Sequence, residues 1–243
     1  MRRSDSKWFL TRVKRTIYDF KMIEKDDRVA VGLSGGKDSA ALLYIINIFK
    51  RHSPVDFDLQ AIYVHLGFDV DLEPLRSLAE NLKVPLHVEE TQIAKIVFER
   101  RQEKNPCALC ANMRHGALHQ AALRLGCNKV ALGHHLDDAI QTFMLNLIYT
   151  GQMDTFKPVT YLDRAGLYQV RPLVQLPEST LKALARRENL PVVKNPCPVS
   201  DQTKRTEMQE LSDELAQRYP DLREKWRAAL MSSPFWDKPG EEE

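Results

Sequence analysis

The sequence lacks any apolar run of membrane-spanning length, and it has few cysteines, four in 243 residues. A transmembrane helix needs about 20 consecutive apolar residues, so no membrane association is expected. The N-terminus also lacks the apolar core and the small-residue cleavage site of a secretion signal. These absences predict a cytoplasmic protein. The chain shows no internal repeat and no clear linker.

The charge is nearly balanced overall but is distributed unevenly. The net charge is +2, yet residues 1–25 carry eight Lys or Arg against three acidic residues. A second basic cluster comprises Arg100, Arg101, Lys104, Arg114, Arg124 and Lys129. Such clusters suit a polyanion such as nucleic acid. A solvated surface explains either cluster taken alone at least as well.

Short apolar runs typical of strands alternate with helical patterns along most of the chain. Strands are predicted at residues 29–31, 59–65, 85–88, 129–133 and 167–170. Helices are predicted at residues 7–23, 39–49, 72–82, 93–102, 111–125, 139–149, 177–189 and, as one or two segments, 203–231. Residues 152–166 are expected to be irregular and the tail from Ser232 to be loose. The alternation predicts an α/β, Rossmann-like fold with a mainly parallel sheet and helices on both faces.

We divide the chain into three parts. Residues 1–25 are predicted to form a basic amphipathic helix, residues 26–175 the sheet domain, and residues 176–243 a helical C-terminal appendage. In parallel α/β sheets, ligands bind at the carboxyl ends of the strands. The sequence places three polar features there: the turn after residues 29–31, the pair Val64-His65, and the stretch Gly133-His134-His135-Leu136-Asp137-Asp138.

The first of these features is a glycine-rich turn between a strand and a helix, Leu33-Ser34-Gly35-Gly36-Lys37-Asp38-Ser39. Paired glycines let backbone N–H groups approach a ligand, and a helix N-terminus attracts anions. The two serines add hydroxyl donors, and Lys37 can add a positive charge. Asp38 is unusual beside phosphates, and a magnesium ion that bridges the two would account for it. The turn therefore predicts a phosphate site.

The cysteines suggest a metal centre. In a cytosolic chain, the pair Cys107-x-x-Cys110 favours metal binding or redox chemistry over a structural disulfide. Cys197 lies between two prolines and is the candidate for a third ligand. Cys127 precedes a buried strand, and burial as a small apolar residue explains it.

Taken in order, these motifs resemble one family. Ser34-Gly35-Gly36-Lys37-Asp38-Ser39 resembles the PP-loop of the ATP pyrophosphatase superfamily, whose members share an adenine nucleotide alpha hydrolase-like fold. The whole chain is similar to the iron-sulfur-dependent tRNA 2-thiocytidine synthetases. The matching stretches are residues 17–23, the PP-loop, Cys107-x-x-Cys110 with Arg114, Gly133-His134-His135-x-Asp137-Asp138, Arg171-Pro172-Leu173 and Pro196-Cys197. The family commonly has a second arginine at the position of His115.

The resemblance implies the cofactors and the residues that hold them. A 4Fe-4S cluster would be carried by Cys107, Cys110 and Cys197, and magnesium by Asp38. ATP would be bound by Leu33, Ser34, Gly35, Gly36, Lys37, Asp38, Ser39, Val64, His65, Gly133, His134, Asp138 and Arg171. The residues implied in catalysis are Asp38, Cys107, Cys110, Cys197, Arg114, Asp137 and Asp138.

The reaction that the resemblance implies is an ATP-dependent thiolation of tRNA, which makes the protein a sulfurtransferase. ATP would adenylate a pyrimidine carbonyl, giving 2-thiocytidine once sulfur replaces the oxygen. The partners would be tRNA, a sulfur donor (cysteine desulfurase-derived or inorganic sulfide), and a second copy in a homodimer. Two alternatives stay open: a cluster-free PP-loop ligase or persulfide thiolase, and a non-catalytic ATP- or zinc-binding RNA module.

Overall fold

A mainly parallel sheet organises the computed structural model, which describes residues 7–101, 106–193, 196–197 and 204–237. Within these residues the sheet has six strands, in the order β3-β2-β1-β4-β6-β5. Neighbouring strands are parallel except β5 and β6, which are antiparallel. The strands are β1 (Arg28–Leu33), β2 (Asp58–His65), β3 (Leu86–Glu90), β4 (Lys129–Ala131), β5 (Val159–Leu162) and β6 (Leu167–Val170).

The helices connect the strands and cover both faces. They are α1 (Lys7–Asp19), α2 (Lys37–His52), α3 (Glu73–Leu82), α4 (Ile93–Lys95), α5 (Pro106–Arg124), α6 (Leu136–Thr150), α7 (Glu178–Arg187), α8 (Lys204–Arg218) and α9 (Leu222–Met231). A π-helical stretch, Ile96–Arg101, continues α4. The predicted α/β, Rossmann-like fold is confirmed. Among the described residues, no helix combines the length and apolar character that crossing a membrane requires.

The core lies in two layers, one on each face of the sheet. On β1, Val29 and Val31 point into the larger layer, which includes apolar residues of α1, α2, α6 and α7, whereas Ala30 points into the layer beneath α5. This alternation follows from the two-residue period of a strand. Apolar residues from all three predicted parts of the chain share the larger layer. The division into three domains stays a prediction.

Two expectations about irregular segments were wrong. Residues 159–162, expected to be irregular, form β5, which pairs with β6 at the edge of the sheet. The tail from Ser232 was expected to be loose, but Pro234–Trp236 forms a 3₁₀ turn and the Trp236 ring is buried. The Trp236 indole N–H donates to the Phe156 carbonyl at 3.0 Å. The C-terminal helices are therefore fastened to the segment that precedes β5.

We expect Trp236→Ala to lower the free energy of unfolding by about 3–5 kcal/mol, as is typical of large-to-small changes in a core. The Trp236 side chain is 1% exposed and also loses its hydrogen bond in this variant. Urea denaturation followed by circular dichroism measures the change. The matched control is Trp8→Ala, because Trp8 is 41% exposed. Equal losses in the two variants would contradict the anchoring role of Trp236.

Candidate functional site

The strand order reverses between β1 and β4, and a cavity of about 230 Å³ opens at the carboxyl ends of the strands there. Such a reversal is the usual ligand site of an open α/β sheet. Nine of the predicted site residues line the cavity: Leu33, Ser34, Asp38, Ser39, Val64, Arg114, Gly133, His134 and Asp138. The structure thus brings residues together from three loops and from α5.

The glycine-rich turn is held by hydrogen bonds between its own residues. The Ser39 hydroxyl accepts from the Ser34 N–H at 3.1 Å and donates to the Gly36 carbonyl at 2.9 Å. Gly35 has a φ of +85°, which only glycine adopts without strain. Its carbonyl accepts from the Val193 N–H at 2.9 Å. The loop is therefore preorganised, and the segment after α7 is tied to it.

Asp38 has one carboxylate oxygen free to bind a cation. Its Oδ1 atom is buried and accepts a hydrogen bond from none of the described residues, whereas Oδ2 lies 3.0 Å from the Lys37 ammonium. A Cβ atom at Gly133 would stand 3.1 Å from the Asp38 backbone. Glycine at position 133 therefore lets the end of β4 approach the first turn of α2. An unpartnered buried carboxylate oxygen is costly unless a ligand binds it.

Lys37 does not line this cavity, because its side chain turns towards α7. Its ammonium lies 2.7 Å from Glu178, which also pairs with Lys182 at 2.8 Å. Although burial opposes ionisation of Glu178, hydrogen bonds from the two lysines lower its pKa to about 2. Glu178 could not be identified from the sequence, because its partner Lys37 lies far away in the chain.

His134 and the buried Arg171 form a pair at one wall of the cavity. The Arg171 guanidinium donates from Nε to His134 Nδ1 at 3.3 Å and stacks over the Phe156 ring. Burial and the neighbouring Arg171 charge lower the pKa of His134 far below its ordinary value. His134 is therefore neutral at physiological pH. Arg171 itself is 6% exposed and acts on the cavity through His134.

The two adjacent aspartates after β4 have different surroundings. Asp138 lines the cavity and accepts from the His135 N–H at 2.9 Å. Asp137 points away from it, because its two oxygens accept from the Glu178 N–H at 2.7 Å and from Arg223 at 2.8 Å. The structure thus gives Asp137 contacts to α7 and α9 and does not bring it into the cavity.

His135 was not singled out from the sequence as a site residue. It is 5% exposed, and its Nε2 atom lies 3.4 Å from Asp138 and 3.9 Å from Asp38. Its Nδ1 atom forms no hydrogen bond with the described residues. The only signal for His135 in the sequence was its place in the His-His-x-Asp-Asp stretch.

His65 is the last residue of β2. Its Nδ1 atom pairs with Glu90 at 2.9 Å, and His65 lies outside the cavity lining.

Three of the four cysteines are neighbours. Cys107 and Cys110 occupy the first turns of α5, which begins at Pro106 and not at residue 111 as predicted, since proline fits the first helical turn. Burial raises the pKa of the Cys110 thiol, Arg114 lowers it, and the nearby Cys197 and Cys107 raise it further. Cys110 therefore lies within electrostatic reach of both other cysteines and of Arg114, which lines the cavity.

Cys127 is separate from this group. Its side chain is 3% exposed and belongs to the core layer beneath α5. The Gln60 side-chain amide donates to its sulfur at 2.7 Å. The structure thus gives Cys127 the buried position that its sequence context predicted.

A smaller pocket of about 40 Å³ lies next to the cavity. It shares Leu33, Ser34, Val64 and Arg114 with the cavity and is also lined by Pro196, the residue before Cys197. Among the described residues, no three metal-ligating side chains lie close enough together to hold a single ion. The smaller pocket therefore extends from the cavity to the residue that precedes Cys197.

Comparisons with known proteins identify the family. The chain matches the PP-loop domain family over residues 9–215. It is 39% identical over 222 residues to a tRNA-cytidine(32) 2-sulfurtransferase of Pelobacter propionicus, covering 90% of this chain and 82% of that protein. It is 38% identical over 221 residues to that of Syntrophotalea carbinolica, covering 89% and 85%. The chain belongs to the tRNA-cytidine(32) 2-sulfurtransferase family of PP-loop proteins.

Solved structures agree with this fold. The U34-tRNA thiolase NcsA of Methanococcus maripaludis, determined with its 4Fe-4S cluster, has a TM-score of 0.75 at 24% identity, covering 92% of this chain and 76% of that one. The NH3-dependent NAD synthetase of Campylobacter jejuni has a TM-score of 0.50 at 20% identity, covering 95% and 93%. At these identities the likeness concerns the fold alone.

Membership of the 2-sulfurtransferase family confirms the predicted family and the prediction that the chain is an enzyme, a sulfurtransferase. The roles assigned to individual residues stay predictions. Within the cavity, the structure groups the nine residues named above. The other predicted site residues lie outside its lining: Gly35, Gly36, Lys37, His65, Cys107, Cys110, Asp137, Arg171 and Cys197.

Proposed function

We propose that the protein thiolates cytidine 32 of tRNA in an ATP-dependent reaction. In the first step, the O2 atom of the base attacks the α-phosphorus of ATP and pyrophosphate leaves. In the second, a sulfur nucleophile attacks C2, and AMP leaves with the original oxygen. The observation that carries the proposal is the position of Cys110, next to Cys107, Cys197 and the cavity-lining Arg114. The names of the relatives support cytidine 32 as the target.

The nucleotide half of the site fits ATP with magnesium. The glycine turn presents backbone N–H groups at the N-terminus of α2, which favours phosphate. The unpartnered Asp38 Oδ1 atom, buried beside this turn, suits a hard cation that prefers oxygen ligands. Asp138 lines the same cavity and is the candidate for a second contact. Magnesium, when bound, neutralises charge that develops on the phosphates.

The sulfur half of the site fits an iron-sulfur cluster. Cys107 and Cys110 are three residues apart on α5 and so share a helix face, while Cys197 approaches from the segment after α7. When bound, the cluster supplies an iron with an open position that can carry sulfur. The thiols must lose their protons to bind it.

The remaining side chains orient the reactants. The target base must leave its stack to reach a cavity of this size, as in other enzymes that act on bases. Arg114 lies at the junction of the cavity, the smaller pocket and the cysteines, where it can hold the α-phosphate or the base. Neutral His134, oriented by Arg171, presents an uncharged ring to the base. These contacts would hold the reacting atoms at bonding distance.

The other partners are part of the proposal. The sulfur donor is a cysteine desulfurase product or inorganic sulfide, and the protein acts in the cytoplasm as a homodimer. In the basic N-terminal segment, Arg12 is engaged within the fold, since its guanidinium lies 3.1 Å from Glu224. Any contact of this segment with RNA therefore rests on other residues, such as the highly exposed Arg15.

The decisive experiment combines anaerobically purified protein, tRNA, ATP, magnesium and sulfide. Mass analysis of the digested nucleosides is expected to show 2-thiocytidine, with AMP formed in step. In cells lacking the protein, 2-thiocytidine at position 32 should disappear. A colourless protein with full activity would favour a cluster-free thiolase. Failure to release AMP with any tRNA would overturn the proposed function.

A further inference from the structure

A second cavity, of about 670 Å³, lies between the first residue of α2 and the C-terminal half of α7. We call it the α7 groove. Its lining includes three cationic residues, Lys37, Lys182 and Arg186. Apolar lining is contributed by Ala185, Leu190 and Val192. The groove therefore combines positive charge with an apolar surface.

The positive charge of the groove is only partly balanced. Glu178 lies between two of the cations, 2.7 Å from Lys37 and 2.8 Å from Lys182, and Asp38 lies 3.0 Å from Lys37. Two carboxylates thus face the three cations. Because the pKa of Glu178 is lowered to about 2, it stays a single negative charge at physiological pH. Arg186 is exposed and pairs with no acidic side chain in the described part of the chain. The groove thus keeps an excess of positive charge for an anionic partner.

The groove borders the nucleotide cavity. Lys37, which lines the groove, is adjacent in sequence to Asp38, which lines the cavity. Val192 lines the groove, and the next residue, Val193, donates its N–H to the Gly35 carbonyl in the glycine turn. The two cavities therefore border the same turn.

We propose that the α7 groove binds phosphodiester groups of the tRNA nucleotides that flank the target base. This inference rests on the proposed function. A base extruded into a cavity leaves the phosphates of its strand at the rim. Lysine and arginine contacts to phosphates position a nucleic acid without reading its sequence. Lys182 and Arg186 belong to neither of the two basic clusters found in the sequence. The α7 groove is therefore distinct from both clusters.

The test removes the two groove cations that lie outside the glycine turn, in the double variant Lys182→Gln and Arg186→Gln. Glu178 keeps its partner Lys37 in this variant, so α7 stays attached to the turn. The matched control is Arg76→Gln and Lys83→Gln, which removes two exposed cations in and next to α3. Affinity for unmodified tRNA is measured over a series of salt concentrations, and ATP affinity is measured without tRNA.

We plot the logarithm of the tRNA affinity against the logarithm of the salt concentration. Each phosphate contact adds about 0.7 to 0.9 to the steepness of this line, so the slope of the groove variant should be shallower by about 1.5. The tRNA affinity should then fall about thirtyfold at about 0.1 M salt. The ATP affinity and the control variant should match the unmodified protein. Together, these results would support the assignment.

Three other outcomes would overturn it. Unchanged tRNA affinity and salt slope would show that the groove does not contact RNA. If the groove variant keeps its tRNA affinity but its AMP formation is inhibited less by inorganic pyrophosphate, the groove binds phosphates derived from ATP. Failure of the unmodified protein to bind any tRNA would remove the proposed function, and this inference with it. The last outcome is distinguishable, because it appears before any variant is made.

Discussion

Anaerobically purified protein is expected to be brown and to hold about four irons per chain, the iron content of one 4Fe-4S cluster. Replacing Cys107, Cys110 or Cys197 with alanine should abolish both iron binding and 2-thiocytidine formation. The physical reason is that each thiolate would hold one iron of the proposed cluster, so removing one would leave a second iron without a protein ligand. Iron and sulfide analysis, with nucleoside mass analysis, measures both effects. ATP binding should persist, because the glycine turn is intact in all three variants.

The matched control is Cys127→Ala, which should keep both iron and thiolation. Cys127 is the most buried of the four thiols and contacts Gln60, away from the other three. Its removal is therefore expected to cost stability without loss of the cluster. If Cys127→Ala loses its iron while Cys197→Ala keeps it, the ligand assignment is wrong. Circular dichroism separates either result from misfolding.

The second large effect is expected at Asp38. Asp38→Asn preserves the shape of the side chain but removes the charge that would hold magnesium beside the phosphates. We expect AMP formation to fall by about a hundredfold to a thousandfold, the usual cost of losing one electrostatic contact in a transition state. The rate is measured by release of AMP and pyrophosphate from ATP in the presence of tRNA.

A control for Asp38 lies at the opposite, amino-terminal end of the parallel strands. Asp58 begins β2, away from the carboxyl ends of the strands, and its side chain is 74% exposed beside Arg28. Asp58→Asn should form AMP at the normal rate. If Asp38→Asn also does so, the magnesium role of Asp38 is wrong. Thermal denaturation without ligand should change little in Asp58→Asn, whose side chain is exposed. In Asp38→Asn the folded state loses the ion pair with Lys37 but no hydrogen bond at Oδ1, because Oδ1 forms none with the described residues.

The site could be located from the sequence because its parts are local motifs on an alternating α/β pattern. The glycine turn and the stretch after β4 each follow a buried strand, and parallel strands bring such ends together. The distinction between Asp137 and Asp138 could not be predicted. Successive residues at a helix start point about 100° apart, and only the packing of α7 and α9 decides which side chain faces the cavity.

Long-range contacts account for the other differences. Nothing local indicates that Glu178 pairs with Lys37, or that Trp236 reaches the Phe156 carbonyl. The edge strand β5 is also weakly marked in the sequence: it has four residues, its Tyr161 is exposed, and within the described sheet it pairs only with β6. Each of these features depends on a contact between residues that are far apart in the sequence. The local spacing of apolar residues does not predict such contacts.

The attachment of the segment after α7 to the glycine turn also has an entropic consequence. Holding the ends of a long flexible chain together lowers its conformational entropy. The contacts of Glu178 with Lys37 and of Val193 with Gly35 already restrict this segment without any metal. The conformational entropy of this segment is therefore lost when the protein folds, and not when a cluster binds. In the apoprotein, the third thiol, that of Cys197, already lies close to the other two. The proposed cluster can therefore bind without refolding of this segment.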